Sequence, residues 1–504
     1  MFKFCRDNEL FCILADKNLG LSLVDRDWYH EHMSAHFNRT ELFEEIEVPR
    51  PEILRRESTV LQVLLQANKV WSGIAISTVC ELFDPNMLQV PQAYGLIKLH
   101  KTPHKLRIIT PVVGWINVKA AQYVARKLQP YVDELKHVLG NSMQIVSDLS
   151  NLPLSRHCVT SYDVSDMYNS ISQRSALILI EGMAKRQRWW KENSPADNQK
   201  WNKLFTLCRW VFSTSYVGYG GKVYKQKKGL PMGSPLSPVL ANLYMAALEE
   251  TVLHAPLYRD VLYLRYLDDI LMISMDTDVP YDTEEDHPMI DVMETLIESI
   301  SIASLGDLQF EPTGCASFDE QLVEFLDLEI SIQKETSAGG RVSQSLQLNV
   351  YDKPTNLHIY TDPSTFYPFH YVYNWIQGEN IRLIRNSSTE LGYKRSLDRF
   401  RQFLFRRNYC ESLVERFVNL NTFEDRSELL LGNKPHQLRK GLNKDISQNR
   451  HVIVRNEGSR LLITRGITIL NNLLAASNAA DDKVNIVVSK GRSILSVMNK
   501  TRKN

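Results

Sequence analysis

The stretch Val261-Leu-Tyr-Leu-Arg-Tyr266-Leu-Asp268-Asp269-Ile270-Leu-Met-Ile-Ser274 sets two adjacent carboxylates in the middle of an otherwise apolar run. The apolar residues on either side read as two strands, and Tyr266-Leu-Asp268-Asp269 reads as the tight turn between them. Two ionised carboxylates at the tip of a buried hairpin repel each other and lose their hydration. A solvated turn would escape that cost. A bound divalent cation removes it, and magnesium takes a few carboxylates together with phosphate oxygens and water.

A second acid is then needed on a neighbouring strand, and Ser161-Tyr-Asp163-Val-Ser-Asp166-Met-Tyr168 supplies it. Cys158 to Asp163 reads as a buried strand that ends on an acid, as the first strand of the hairpin ends on Asp268. Side by side, two such strands bring carboxylates from distant parts of the chain to one spot. That is the arrangement for a two-metal, in-line displacement at phosphorus. The expected metal positions are Asp163, Val164, Asp268 and Asp269, holding two magnesium ions for which manganese can substitute. Asp163 and Asp268 are expected to ligate directly, with Asp269 supporting from the other side of the turn. Asp166 reads as a helix-start or surface acid.

Between the two acid strands lies Gln226-Lys-Lys-Gly229-Leu-Pro-Met-Gly233-Ser234-Pro-Leu-Ser237-Pro238. Glycines allow the backbone to approach a substrate, and prolines stiffen the loop around them. Taken alone it is a loop capping a helix. Its place between the acids makes Gln226, Gly233 and Ser234 candidates for nucleotide contact.

Working outward, 504 residues exceed one ordinary core, so about two to four subdomains are expected. At 43% hydrophobic and 23% charged the chain reads as globular, and a net charge of +1 leaves nucleic-acid binding to the placement of charge. Placement is uneven: Arg382, Arg385, Lys394, Arg395, Arg399, Arg401, Arg406 and Arg407 fall in a basic, aromatic, helical stretch, and 434–504 is basic too. The cysteines are dispersed and none has metal or disulfide spacing. No apolar run is long enough to span a bilayer, and Met1 to Leu14 makes a poor signal peptide. Periodicity predicts a helix over Leu54–Gln66, strand–loop–strand over Tyr94–Pro111, and a helix from about Asn117 to Leu139 with a break or kink at Pro130. It predicts helices over 173–216, a glycine hairpin over Tyr216–Tyr224, and a helix reaching Glu250. Residues 275–288 read as a solvated acidic loop, Met289–Ile302 as a helix, and Leu308–Ile332 and Leu346–Tyr360 as strands.

The order of the Asp163 motif, the Gln226–Pro238 motif and Tyr266-Leu-Asp268-Asp269 resembles a reverse transcriptase, and most closely the Penelope-like retroelement branch. Gly95-Leu-Ile-Lys98-Leu-His100-Lys101 with Leu106-Arg107-Ile is similar to that branch's fingers signature. So are Ala15-Asp16-Lys17-Asn18-Leu-Gly20, Glu324-Phe-Leu-Asp327 and Tyr351-Asp-Lys353-Pro-Thr355. The resemblance implies an α+β right-hand polymerase fold. Its parts would be an N-terminal helical extension or part of the fingers (1–90), fingers (91–157), palm (158–350), thumb (351–433) and a basic C-terminal segment (434–504). It implies an enzyme that joins deoxynucleoside triphosphates to a DNA primer's 3′-hydroxyl on an RNA template, inside the cell and in the nucleus. Lys98, Lys101 and Arg107 would clamp triphosphate or template backbone. Tyr168 would lie under the sugar and exclude a 2′-hydroxyl, the group that distinguishes RNA. The branch's GIY-YIG nuclease motifs are not found in 434–504, so no DNA cutting is expected. Two rivals stand beside this reading: an RNA-dependent RNA polymerase, disfavoured by Tyr168, and a catalytically inactive nucleic-acid-binding protein derived from a retroelement.

Overall fold

The structure is a computed structural model that describes residues 2–47, 51–60 except 54 and 58, 90–99, 101–150, 152, 158–274, 289–317, 321–336, 342–354, 356–364, 369–431, 450–455 and 484–489. It divides into two units, 1–357 and 358–504.

The first unit opens with helix α1 (Phe2–Asp7), a hairpin of β1 (Leu10–Leu14) and β2 (Leu21–Asp25), helix α2 (Arg26–Phe37) and strand β3 (Phe43–Ile46). The Asp25 carboxylate caps α2, accepting from the Trp28 amide at 2.8 Å. The segment expected to form fingers makes a second hairpin, β4 (Tyr94–Lys98) with β5 (Lys105–Ile109). Helices α3 (Val118–Asp133) and α4 (Ser142–Ser150) precede strand β6 (Val159–Ser165). Short α5 (Met167–Ser170), α6 (Gln173–Arg186) and α7 (Pro195–Ser213) lead to the hairpin β7 (Tyr216–Tyr219)–β8 (Lys222–Gln226). Its two-residue turn holds Gly220 and Gly221 at φ 57° and 83°, the left-handed pair such a turn requires. Then come α8 (Ser237–Leu253), β9 (Val261–Tyr266), β10 (Asp269–Ser274), α9 (Met289–Ala303), β11 (Gln309–Ala316), β12 (Leu322–Phe325), β13 (Leu328–Thr336) and β14 (Val342–Val350).

The central sheet has the order β11-β6-β10-β9, with every neighbour antiparallel. Side chains alternate along a strand, so the register decides what each face carries. Tyr162, Val164, Ile270 and Met272 face one way. They join a core with Val124 and Leu128 of α3, Ile180 of α6, Trp201 of α7, Leu240 and Tyr244 of α8 and Leu296 of α9. Asp163 and Asp269, one residue out of phase, face the other way. An antiparallel sheet backed by helices on one face, with its acids on the other, has the arrangement expected of the palm in a right-hand polymerase fold. A smaller core of Tyr29, Met33, Phe37, Phe43, Val217 and Tyr224 ties the N-terminal elements to β7 and β8, because β3 pairs with β8.

In the second unit, α10 (Phe369–Asn386), α11 (Glu390–Arg406), α12 (Glu411–Val418) and α13 (Arg426–Leu430) form a helical body. Asn380, fully buried, donates to the carbonyls of Val418 and Asn421 at 2.9 Å and accepts from the Tyr393 hydroxyl at 2.9 Å. Strands β15 (Arg450–Arg455) and β16 (Val484–Ser489) pair in parallel.

Several expectations change. The strand carrying Asp163 does not end on it but runs on to Ser165. The helix begun near Asn117 passes through Pro130 and stops at Asp133, not Leu139; proline in a last turn removes one hydrogen bond without ending the helix. Among the described residues of 351–360 none is in a strand. Most of the Leu54–Gln66 helix, the acidic loop 275–288, His100 and 434–449 lie outside the described residues.

Candidate active site

The hairpin and β6 put three carboxylates in one place. Asp269 lies directly across from Asp163, and on the other side of β6 Glu311 of β11 does the same. Asp268 sits in the two-residue turn with Leu267, which adopts φ 55°. The Asp268 carbonyl accepts from the Val164 amide at 3.0 Å, fixing the turn to β6. Burial raises the Asp163 pKa, the charges of Asp268 and Glu311 add to that, and Lys101 and Lys98 oppose it. Burial, then Asp268 and Asp163, pushes Asp269 up to about 6, against the pull of Lys353 and Lys17. The charge of Asp268 thus acts on both other acids.

Such a set is unfavourable by itself and suited to a cation. Among the described residues no group of three or more His, Cys, Asp or Glu side chains is placed to hold an ion alone. Magnesium binds through one or two carboxylates and completes its octahedron with phosphates and water. Opposed Asp163 and Asp269, with Asp268 beside them, fit that donor set.

The turn is held from behind by Arg265, which is fully buried. Its Nη1 donates to the Leu267 carbonyl at 3.1 Å and to Asn242 Oδ1 at 2.8 Å. Its Nε and Nη2 bind the Glu249 carboxylate of α8, which also accepts from the Tyr263 hydroxyl at 2.8 Å and contacts His137 Nε2 at 2.8 Å. Burial alone would raise the Glu249 pKa; Arg265 and His137 hold it at about 2. An ion pair buried this deeply contributes through geometry more than through net stability. Here it fixes the carbonyl one residue before Asp268.

The glycine–proline loop joins the other parts. Leu230 N–H donates to the Tyr168 carbonyl at 2.6 Å, and Gly229 N–H to that of Ile171 at 3.1 Å. Thr110, at the end of the fingers hairpin, donates its amide to the Met232 carbonyl at 2.8 Å. Gly233 has φ 128°, and a Cβ there would stand 2.8 Å from the Thr110 carbonyl oxygen. Only glycine meets both conditions. Ser234 is buried, with its hydroxyl accepting from the Leu236 amide at 3.4 Å. Gln226 is buried as well. Both side chains are thus largely covered, whereas Gly233 is exposed.

Tyr168 stands partly buried beside the acids. Burial, then the charge of Asp268, pushes its hydroxyl up to about 12, and Arg107 pulls the other way. Asp166 has φ 48°, accepts from Asn169 at 2.7 Å and pairs with Arg39 at 3.4 Å. On the fingers hairpin Lys98 is depressed by burial and then by Arg107, with Lys101 adding to it.

The sequence reading missed four residues as site residues. Glu311 lies opposite Asp163, and Lys17 and Lys353 act on Asp269. Arg265 lies beside the Asp pair in sequence, but its hydrophobic setting hid its role. Lys17 and Lys353 were visible only as members of family signatures.

Residues 99–301 match the family described as reverse transcriptase (RNA-dependent DNA polymerase). The telomerase reverse transcriptase of Mus musculus is 35% identical over 83 residues, 16% of this chain and 7% of that protein. The chain therefore spans a small part of the length of this curated relative. Telomerase from Candida albicans, solved with a TWJ fragment of telomeric RNA, aligns over 84% of this chain and 68% of its own at 12% identity and a TM-score of 0.48. The Sicinivirus 3Dpol RNA-dependent RNA polymerase aligns over 70% of each chain at 14% identity and a TM-score of 0.39. Asp163, Tyr168, the Gly229–Pro238 loop and the Asp268–Asp269 turn all fall inside the span, residues 99–301, that is similar to the reverse transcriptase (RNA-dependent DNA polymerase) family.

Proposed function

We propose that this chain is an RNA-directed DNA polymerase of a Penelope-like retroelement, extending a DNA primer on an RNA template with deoxynucleoside triphosphates. The single observation that carries the reading is the register that opposes Asp163 and Asp269 across β6 and β10, next to Tyr168. The branch rests on the Ala15–Gly20, Gly95–Lys101, Glu324–Asp327 and Tyr351–Thr355 motifs. In this reading 1–157 supplies an N-terminal extension and fingers, 158–350 the palm and 351–433 the thumb.

Asp163, Asp268 and Asp269 would hold two magnesium ions. When bound, these activate the 3′-hydroxyl and neutralise the phosphates and leaving group. The chain's own residues do the rest. Lys98, Lys101 and Arg107 bind phosphate. Gly233 lets the loop close on the fingers. Arg265 keeps the acid turn in place. Tyr168 fills the space a 2′-hydroxyl would need.

On α11, Arg395, Arg399 and Arg406 are exposed at helical spacing, a stripe about 16 Å long. Among the described residues none of the three is in an ion pair, whereas Arg382, Lys394 and Arg401 pair with Glu379, Glu390 and Glu415 at 2.7 Å. The stripe suits the phosphates of a template–primer duplex.

The test offers ribo- and deoxynucleotides on an RNA template to the natural chain and to Tyr168→Val. The reading predicts deoxynucleotide incorporation by the natural chain and a gain in ribonucleotide use by the variant. Equal use of both sugars by the natural chain would favour an RNA polymerase instead.

A further inference from the structure

The loop Ala15-Asp16-Lys17-Asn18-Leu19-Gly20 has no part in the reaction assigned to the acids, the fingers and Tyr168. It is nevertheless built against the fingers. Ala15 bridges Ile97 of β4 in parallel, and its amide donates to the Gly20 carbonyl at 2.9 Å, closing the loop. Asp16 is 5% exposed. Its Oδ1 forms an ion pair with Arg107 Nη1 at 3.3 Å, while Oδ2, also buried, has no hydrogen-bond partner among the described residues. Lys17 follows in a left-handed conformation, φ 60° and ψ 38°, uncommon for a residue with a side chain. The side chain is exposed.

Burial and then Lys353 lower the Lys17 pKa, with Arg107 and Lys101 adding to the effect. Lys98 is depressed in the same way by burial and Arg107. Five cations, Lys17, Lys98, Lys101, Arg107 and Lys353, thus gather around the buried Asp16, with Asp166 also acting on Lys98. The same group reaches the reaction centre, because Lys17 and Lys353 act on Asp269 and Lys98 and Lys101 act on Asp163. Cations gathered next to acids suited to a divalent ion are arranged for a polyanion that carries both kinds of contact. A nucleoside triphosphate is such a ligand.

We propose that the Asp16–Lys17 loop is a wall of the triphosphate site, in which Lys17 contacts phosphate and Asp16 is a positioning residue that holds the Arg107 guanidinium toward it. The inference rests on the polymerase reading and deepens it. A purely structural latch between the N-terminal hairpin and the fingers would need the Asp16–Arg107 pair but would have no use for Lys17.

The experiment uses the full chain on an RNA template with a dideoxy-terminated DNA primer, so that the next complementary deoxynucleotide binds without reacting. Affinity for that nucleotide is measured, and KM and kcat are measured with an extendable primer. Lys17→Met is expected to weaken binding about tenfold and to raise KM alike with kcat nearly unchanged, the size of one charge-assisted contact. Lys17→Arg is expected to restore most of it. Asp16→Asn is expected to weaken binding about fivefold in the natural background and to add little once Arg107 is Met, since coupled residues are not additive. Unchanged nucleotide affinity in Lys17→Met, or full additivity of Asp16→Asn with Arg107→Met, would overturn the inference while leaving the polymerase reading intact. A natural chain that neither binds the nucleotide nor extends the primer would remove the reading itself.

Discussion

Asp163 of β6 and Asp269 of β10 stand directly opposite each other across an antiparallel pair, on the face of the sheet turned away from the helices. Directly opposed like charges are destabilising; burial first, then the charges of Asp268 and Asp163, raise the Asp269 pKa to about 6 from an ordinary 3.8. The sign follows from linkage. The folded state holds the Asp269 proton more tightly than the unfolded state does, so this group's contribution favours folding at low pH and is lost as pH rises from about 4 through about 6.

Asp269→Asn should therefore stabilise the cation-free protein at pH 7.5, by about 1–3 kcal/mol from a shift of this size. Thermal melts with EDTA check this. Magnesium should raise the melting temperature of the natural chain above pH 6 and do so progressively less below it. A destabilised Asp269→Asn protein would contradict the assignment of strain to this pair.

Arg265→Met should be costly for a different reason. It leaves Glu249 buried without its main partner and frees the Leu267 carbonyl. Breaking one side of a buried pair costs about 3–5 kcal/mol. Urea unfolding should show the loss. Replacing both Arg265 and Glu249 by apolar residues should recover part of the stability but not the activity, because the turn carbonyl stays unheld.

Gly233→Ala tests the loop. The added Cβ would sit 2.8 Å from the Thr110 carbonyl oxygen at φ 128°, and strain of this kind costs about 1–3 kcal/mol. The strain falls where the loop meets the end of the fingers hairpin. Nucleotide KM is expected to rise well before global stability is lost. A variant with unchanged KM would show that the Thr110–Met232 junction does not shape the nucleotide site.

The stripe on α11 predicts salt dependence. Replacing Arg395, Arg399 and Arg406 by Gln should lower the slope of log affinity against log salt for an RNA–DNA duplex by about 2–3, roughly one for each phosphate no longer neutralised. Anisotropy titrations over a range of KCl concentrations measure it. The same substitutions at Lys394 and Arg382, which are already paired within the helices, should change the slope less.

Much of this was legible in the sequence, and the reasons differ by element. The β9–β10 hairpin could be read because two apolar runs flank one polar interruption, and the β7–β8 turn because Gly220 and Gly221 satisfy its backbone angles. Asp163 was placed at a strand end because polar residues follow it, whereas β11 pairing carries the strand on to Ser165. Glu311 could not be seen, since only the register of β11 on β6 sets it opposite Asp163. That Ser234 and Gln226 are buried could not be read from residue type, since burial is set by how the loop packs. Arg265 sits in a hydrophobic strand and gives no local hint that Glu249 of α8 awaits it.

The most direct test of the central claim is primer extension on an RNA template with magnesium and deoxynucleotides, comparing the natural chain with Asp163→Asn, Asp268→Asn and Asp269→Asn. The account predicts extension by the natural chain and a loss of about a thousandfold or more in the Asp163 and Asp268 variants, as expected when several kcal/mol of charge stabilisation are removed. Asp269→Asn should lose activity while gaining stability in EDTA. Extension by Asp268→Asn at the natural rate would contradict the account.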